Sequence, residues 1–124
     1  MIIGLHHAQI TVPRDEEAAA KAFYLDLLGF AEVAKPASLV GRGGFWMNVG
    51  NLNVHVGVEE GFDRTTTKAH LAYEVTDLSR WRAVLEAEGI EILEGVPIPG
   101  FDRFEFRDPF GNRVEMIQPI GPTE

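Results

Sequence analysis

The stretch that decides the fold is GLHHAQITVP, residues 4–13, in which apolar and polar side chains alternate. The apolar set is Ala8, Ile10 and Val12. The polar set is His7, Gln9 and Thr11. Such alternation predicts a β-strand with one face in the core and the other facing water, a ligand or an ion. His6 falls on the apolar face, so we expect it to pack. His7 falls on the polar face and is therefore a candidate for a functional site.

A helix and three more strands are predicted after this first strand. The helix is indicated by apolar side chains at helical spacing, namely Ala20, Phe23, Tyr24, Leu27 and Leu28. One strand follows in GFAEVA, and two more lie in FWMNVGNLNVHVGV, residues 45–58, where they meet near Gly50. In the last of these strands His55 lies on the polar face.

The same order of elements is predicted a second time between residues 68 and 118. Its segments are KAHLAYEV, DLSRWRAVLEAEG, IEIL, FDRFEFR and NRVEMIQ, which read as strand, helix and three strands. Asp77 is the expected N-cap of the helix, and the turn DPFGN separates the last two strands. The 124 residues therefore predict one domain, residues 1–124, built from two βαβββ modules at about 4–60 and 68–119.

Composition excludes several classes of protein. The net charge of −8 argues against nucleic acid as a partner, because phosphate binding needs a positive surface. No apolar run approaches the roughly 20 residues of a membrane span, and we expect a cytoplasmic location and no membrane partner. The chain has no cysteine, so any metal ion must be bound by His, Asp or Glu.

The duplication pairs the polar residues of the two modules. His7 on the first strand corresponds to His70, and His55 on the last strand corresponds to Glu115. Two or three imidazoles and a carboxylate make a ligand set for Zn²⁺, Ni²⁺, Mn²⁺, Co²⁺ or Fe²⁺. We therefore expect a divalent metal ion, of unassigned identity, as cofactor.

Two further residues are candidate substrate contacts. Gln9 lies two residues after His7 on the same face, so the two should line one cleft. Arg103 lies on the strand before DPFGN and either clamps an anionic substrate or forms a surface ion pair. Aromatic residues such as Phe45, Trp46 and Phe101 are expected in the core or at the rim of a dimer interface.

Four segments together resemble the vicinal oxygen chelate superfamily of glyoxalase I, bleomycin- and fosfomycin-resistance proteins and extradiol dioxygenases. They are GLHHAQITV, AFYLDLLGF, KAHLAYEV and RDPFGNRVEMI, and the resemblance covers essentially the whole chain. It implies an α+β fold in which the two βαβββ modules form a cupped eight-stranded sheet. It also implies that His7, His70 and Glu115 bind a divalent metal. His55 stands where glyoxalase I typically has a glutamate ligand, so His55 either completes the site or acts as a base.

The resemblance leaves three functions open. The first is a metal-dependent, glyoxalase-like enzyme that acts on a small oxygen-rich substrate by Lewis-acid catalysis. The second is a binding protein of the bleomycin-resistance type, which sequesters a drug or metabolite. The third is an extradiol-type dioxygenase. Because open sheet edges are normally paired or covered, we also expect a homodimer.

Overall fold

The computed structural model describes residues 1–121. The chain divides into two compact units, Met1–Phe62 and Asp63–Glu124. Each unit contains one four-stranded sheet and follows the βαβββ order, which confirms the predicted α+β class. The eight predicted strands are thus shared equally between two sheets. Within the described residues, no helix has both the length and the apolar character needed to cross a membrane.

The first unit begins with strand β1 beside strand β4. Its elements are β1 (His7–Val12), α1 (Glu17–Lys21), a π-helical turn (Ala22–Leu27), β2 (Ala31–Val33), a 3-10 helix (Ala37–Arg42), β3 (Phe45–Val49) and β4 (Leu52–Val58). The strand order is β1-β4-β3-β2. β1 pairs with β4 in parallel, whereas the other two pairings are antiparallel. The first and last strands of the unit are therefore neighbours.

The predicted helix is present, but its second half is wound more widely than an α-helix. The backbone N–H of Leu28 donates to the carbonyl of Phe23, five residues earlier, at 3.0 Å. This wider turn rotates Leu27 away from the core and brings Leu28 into the core. Leu27 is therefore only half-buried, whereas Leu28 is buried. Helical spacing of 3.6 residues does not distinguish these two positions, which explains why both are predicted as buried.

The core of the first unit lies on the apolar face of β3 and β4. Four side chains there are at most 2 % exposed, namely Phe45, Met47, Val54 and Val56. Of the two places predicted for Phe45, the core is therefore confirmed and the rim is not, because the alternation of Phe45 with Met47 directs it inward. Phe101, at 40 % exposure, does lie at the surface.

The second unit repeats the topology of the first. Its elements are β5 (His70–Glu74), α2 (Leu78–Ala87), β6 (Leu93–Glu94), β7 (Phe101–Arg107) and β8 (Arg113–Pro119), preceded by a 3-10 turn at Arg64–Thr66. The strand order is β5-β8-β7-β6, with β5 and β8 parallel. The strand predicted in IEIL is reduced to β6, which pairs with β7 at two positions only. As predicted, Asp77 caps α2, and its carboxylate accepts a hydrogen bond from the N–H of Arg80.

The turn DPFGN is closed by the carboxylate of Asp108. Its Oδ1 accepts hydrogen bonds from the backbone N–H groups of Phe110 and Asn112, at 2.9 and 2.8 Å. Gly111 has φ +100°, and a Cβ there would lie 2.9 Å from the methyl group of Thr65. This position therefore needs glycine, and the tight reversal that follows fixes β8 against β7.

Register supports the predicted equivalence of the two modules. Gln9 of β1 lies opposite His55 of β4, and Ala72 of β5 lies opposite Glu115 of β8. Gln9 is two residues after His7, and Ala72 is two residues after His70. His7 and His55 in one unit and His70 and Glu115 in the other therefore occupy matching positions on matching strands.

Candidate metal centre

In the second unit His70 and Glu115 are in direct contact. They lie on the adjacent parallel strands β5 and β8, offset by one two-residue step. The small side chain of Ala72 stands directly opposite Glu115, which leaves the diagonal approach to His70 open. The His70 Nε2 atom lies 2.9 Å from Oε1 of Glu115, whose side chain is only 8 % exposed.

The hydrogen bonds of His70 define what lies between these two atoms. Its Nδ1 atom is 2.9 Å from the carbonyl oxygen of Lys68, which can only accept, so Nδ1 carries a hydrogen. In the neutral imidazole Nε2 then has a lone pair that faces a carboxylate. A second proton or a metal cation must therefore lie between Nε2 and Oε1.

The contact distance fits a shared cation. Two ligands bound at about 2.1 Å and at right angles to each other on a six-coordinate ion are about 3.0 Å apart. The 2.9 Å between Nε2 of His70 and Oε1 of Glu115 matches that separation. A carbonyl that orients the second nitrogen of a histidine ligand is also a usual feature of metal sites. The donor set therefore fits a divalent ion.

The second oxygen of Glu115 is held by Arg103. Nη1 of Arg103 lies 3.2 Å from Oε2 of Glu115 and 3.1 Å from Oε2 of Glu105. Nε and Nη2 of the same guanidinium donate to the carbonyl of Val96, at 3.1 and 2.7 Å. A Cβ on Gly95 would lie 2.6 Å from the guanidinium carbon of Arg103. Glycine at this position therefore leaves the space that the guanidinium occupies. Arg103 thus orients Glu115, while its predicted contact with substrate stays a prediction.

Glu105 is the site residue that sequence reasoning missed. Among the described residues, one group of three potential ligand side chains lies within 4.8 Å of one another, and it consists of His70, Glu105 and Glu115. Arg113 binds the Glu105 carboxylate through Nε and Nη2, at 2.9 and 2.8 Å. Hydrogen bonds from Arg113, and to a lesser degree from Arg103, hold the pKa of Glu105 below its usual range.

A signal for Glu105 is present in the sequence. In FDRFEFR it alternates with buried Phe104 and Phe106, and so shares a face with Arg103. It also lies directly opposite Glu115 in the register of β7 and β8. The alternation indicates this face, but only the pairing of the strands shows that the two carboxylates are neighbours.

In the first unit three aromatic rings form a stack. The imidazole of His55 lies 3.8 Å from the Trp46 ring, with 1° between their planes. On its other side it lies 4.1 Å from the imidazole of His7, with 15° between planes. His55 is only 9 % exposed. Burial chiefly, and then electrostatic interactions with His7, His6 and Lys35, lower the pKa of His55. A neutral imidazole is the form that binds a metal or accepts a proton.

His6 does not pack as predicted. It is exposed, and its Nδ1 atom lies 3.1 Å from Nδ1 of His7. β1 begins only at His7, so the alternation that assigned His6 to the apolar face does not extend to it. His6 therefore adds a third imidazole beside the stack of His7, His55 and Trp46.

Gln9 lies beside this stack, on the same face of β1 as His7. A Cβ on Gly57 would come within 2.8 Å of the Gln9 amide nitrogen, so the amide lies across the glycine. Gln9 and His55 both line a cavity of about 460 Å³ in the first unit. The predicted site residues thus form two groups, one in each unit: His7, Gln9 and His55, and His70, Arg103 and Glu115.

Comparison with known proteins identifies the family. Residues 4–116 match the model of the Glyoxalase/Bleomycin resistance protein/Dioxygenase superfamily. Among curated proteins none matches the chain. A structure assigned to the glyoxalase family from Bacillus anthracis is 37 % identical, with a TM-score of 0.88, and the match covers 97 % of this chain and 98 % of that one.

Two other solved structures share the fold at lower identity. The fosfomycin resistance protein FosX from Listeria monocytogenes, solved with Mn(II) and sulfate, is 17 % identical with a TM-score of 0.75 over 97 % of this chain and 93 % of that one. A glyoxalase/dioxygenase from Nostoc punctiforme is 20 % identical with a TM-score of 0.78, covering 94 % and 91 %. The match over residues 4–116 takes in nearly the whole chain, which therefore belongs to the Glyoxalase/Bleomycin resistance protein/Dioxygenase superfamily.

Proposed function

We propose that the chain is a metal-dependent, glyoxalase-like enzyme that acts on a small oxygen-rich substrate. The observation that carries this proposal is the contact between Nε2 of His70 and Oε1 of Glu115 at 2.9 Å. With Nδ1 of His70 donating to Lys68, that contact requires a cation or a second proton. The Mn(II) in FosX, a protein of the same fold, is consistent with a metal as the cation.

The proposed ligands in the second unit are His70 and Glu115, whereas the role of His7 as a further ligand stays a prediction. The ion is divalent, and zinc, nickel, manganese, cobalt and iron(II) all accept such nitrogen and oxygen donors. When bound, it supplies Lewis acidity that polarises the oxygens of the substrate. Arg103 keeps Glu115 in place, because its Nη1 lies 3.2 Å from the second carboxylate oxygen.

His55 is proposed as a metal ligand or as the base. Its low exposure and lowered pKa keep the imidazole neutral near pH 7, so a ring nitrogen can accept a proton from the substrate. The rings of Trp46 and His7 on its two faces fix its plane. Gln9 is the proposed substrate contact on the neighbouring strand.

Metal content tests the proposal directly. Protein purified without chelator is expected to hold about one divalent ion per chain by elemental analysis. The variants His70→Ala and Glu115→Gln should lose the ion, because each removes one of its proposed donors. Glu88→Gln, which changes an exposed carboxylate outside the proposed set, is the matched control for Glu115→Gln and should retain the ion. Equal metal content in the wild type and in both ligand variants contradicts the proposal.

A drug- or metabolite-binding protein is the second candidate function. The cavity of about 460 Å³ in the first unit supports it, because such a cavity accommodates a ligand without any metal. Ligand binding by metal-free protein, with no turnover under any metal, favours this candidate. An extradiol-type dioxygenase is the further alternative, since two histidines and a carboxylate suit iron(II). Oxygen uptake with a catechol and iron(II) distinguishes it.

A homodimer and a cytoplasmic location stay predictions. Several apolar side chains at the beginning of the chain are exposed, namely Met1, Ile2, Ile3 and Leu5. Exposed apolar groups in series favour association, which is consistent with a second copy of the chain as the partner.

A further inference from the structure

The cavity of the first unit differs in charge from the rest of the chain. Its volume of about 460 Å³ falls within the range of about 300–1,000 Å³ that is usual for small-molecule sites. The chain as a whole carries a net charge of −8. Among residues 1–121, the lining of the cavity nevertheless includes Lys35 and Arg42 and no aspartate or glutamate. The cavity is therefore suited to a negatively charged ligand.

Both cations have donors to spare. The ammonium group of Lys35 donates to the carbonyl of Gly43 at 2.7 Å, which uses one of its three N–H groups. Arg42 is exposed, and within residues 1–121 no acidic side chain forms an ion pair with it. Its planar guanidinium matches a carboxylate, to which it can donate two parallel hydrogen bonds.

The segment that carries these two cations, residues 35–44, is anchored to the rest of the first unit. Lys35 ties the beginning of the segment to its end through Gly43. The carboxylate of Glu17 accepts a hydrogen bond from the N–H of Gly44 at 2.8 Å. Gly44 has φ +79°, and a Cβ there would lie 2.1 Å from the carbonyl oxygen of Val56. Only glycine allows the segment this close to β4, which fixes the backbone that follows Arg42.

The wall of the cavity is flat and aromatic. Trp46 lines it and is half-buried, with the imidazole of His55 parallel to the indole at 3.8 Å. Leu39 and Val56 add apolar surface. A conjugated ring gains both buried apolar area and stacking energy against an indole, whereas a saturated ring gains only the area.

We propose that this cavity binds an aromatic carboxylate, with the carboxylate at Arg42 and Lys35 and the ring against Trp46. The amide of Gln9, which also lines the cavity, is placed to hydrogen-bond a hydroxyl group on the ring. This proposal deepens the proposed function by naming a class of substrate. It rests on the proposed function only where it treats the bound carboxylate as the substrate of the enzyme. Binding of the carboxylate itself needs no metal.

Titration of metal-free protein with benzoate tests the proposal. Trp46 and Trp81 are the two tryptophans, so the variant Trp81→Phe leaves Trp46 as the only reporter of fluorescence. Benzoate is expected to change this fluorescence with saturation. Neutral benzamide and non-planar cyclohexanecarboxylate should each bind about fivefold more weakly, which corresponds to roughly 1 kcal/mol. Equal binding of all three compounds, or displacement of benzoate by equimolar inorganic phosphate, overturns the proposal.

A pair of charge-matched variants locates the anion. Arg42→Gln should weaken benzoate binding by about fivefold or more and reduce the preference over benzamide, since Lys35 is then the remaining cation. Arg80→Gln removes the same charge from an exposed position on α2. It should leave the affinity for benzoate and the preference over benzamide unchanged. An unchanged affinity in Arg42→Gln overturns the assignment.

Metal analysis on the same preparations separates the two proposals. Arg42→Gln should keep its metal, because Arg42 is not among the proposed ligands. If the protein binds metal but does not prefer benzoate, the aromatic-carboxylate proposal is wrong and the proposal of a metal-dependent enzyme is unaffected. Benzoate selectivity in a protein that never binds metal overturns the enzyme and supports the cavity.

Discussion

The two units share one topology, but they place different chemistry at matching positions. Trp46 lies opposite His55 in the first sheet, whereas Glu105 lies opposite Glu115 in the second. The first pair is two stacked rings, and the second pair is two carboxylates bridged by Arg103. Backbone register therefore determines where a side chain lies, while the kind of side chain determines whether the place is aromatic or ionic.

The difference determines how each group is stabilised. The ring of His55 is neutral and is held by dispersion and stacking, which depend little on salt. The carboxylates of Glu105 and Glu115 need the guanidinium groups of Arg103 and Arg113 to offset the loss of hydration. Salt, pH and substitution should therefore act differently on the two units, and this difference can be measured.

The largest effect is expected from Glu105→Gln. The substitution keeps the shape of the side chain but leaves Arg103 and Arg113 without a shared carboxylate, so we expect the free energy of unfolding to fall by about 2–3 kcal/mol. Urea unfolding at low ionic strength measures it. In 1 M salt the loss should be smaller, since the arginine charges are then screened.

The exposed Glu88→Gln is the matched control for Glu105→Gln. It removes the same charge from the end of α2 and should change the unfolding free energy by no more than about 0.5 kcal/mol. If Glu105→Gln lowers the unfolding free energy as little as Glu88→Gln does, the ion pairs of Glu105 with Arg103 and Arg113 do not stabilise the second unit.

A smaller effect is expected from Trp46→Leu in the first unit. Leucine keeps part of the apolar area but loses the stack on His55, so the unfolding free energy should fall by about 1–2 kcal/mol. The loss should be the same in low and high salt, and urea unfolding under both conditions measures it. A loss that disappears in 1 M salt contradicts the aromatic description of this unit.

The smallest expected effect is on pH dependence. The pKa of Glu105 is lower in the folded chain than in the unfolded chain, so its stabilisation is present above the unfolded value of about 4.3 and is lost as pH falls through the folded value. Unfolding free energy measured between neutral and acid pH should therefore decline less steeply in Glu105→Gln than in the wild type. Parallel curves for the two proteins contradict this assignment.

Sequence reasoning found the strands and the duplicated positions because both follow from a period of two. His7 and His55 were assigned to polar faces by alternation, and His70 and Glu115 followed from the duplication of the module. The register places the four residues at matching positions. Alternation works here because each strand has one face in a core.

What the sequence did not predict depends on contacts between distant residues. The chain has 19 acidic side chains, and nothing local distinguishes Glu105 from the others until β7 is paired with β8. Lys35 and Arg42 lie in a glycine-rich segment without periodicity, so no pattern indicated that they line a cavity. The hydrogen-bond partners of Arg103 were open for the same reason, since Val96 reaches it through a loop.

The parallel pairing of first and last strands has a consequence for synthesis on the ribosome. β1 has its partner only once β4, ending at Val58, has left the exit tunnel, and β5 likewise waits for β8. Closing such long stretches of chain costs entropy, so β1 and β5 stay unpaired until the last strand of their unit emerges, whereas β2 can pair with β3 and β6 with β7 earlier. His7 meets His55, and His70 meets Glu115, only at that final step. A chain that lacks β4 or β8 therefore lacks the strand that brings each histidine to its neighbour.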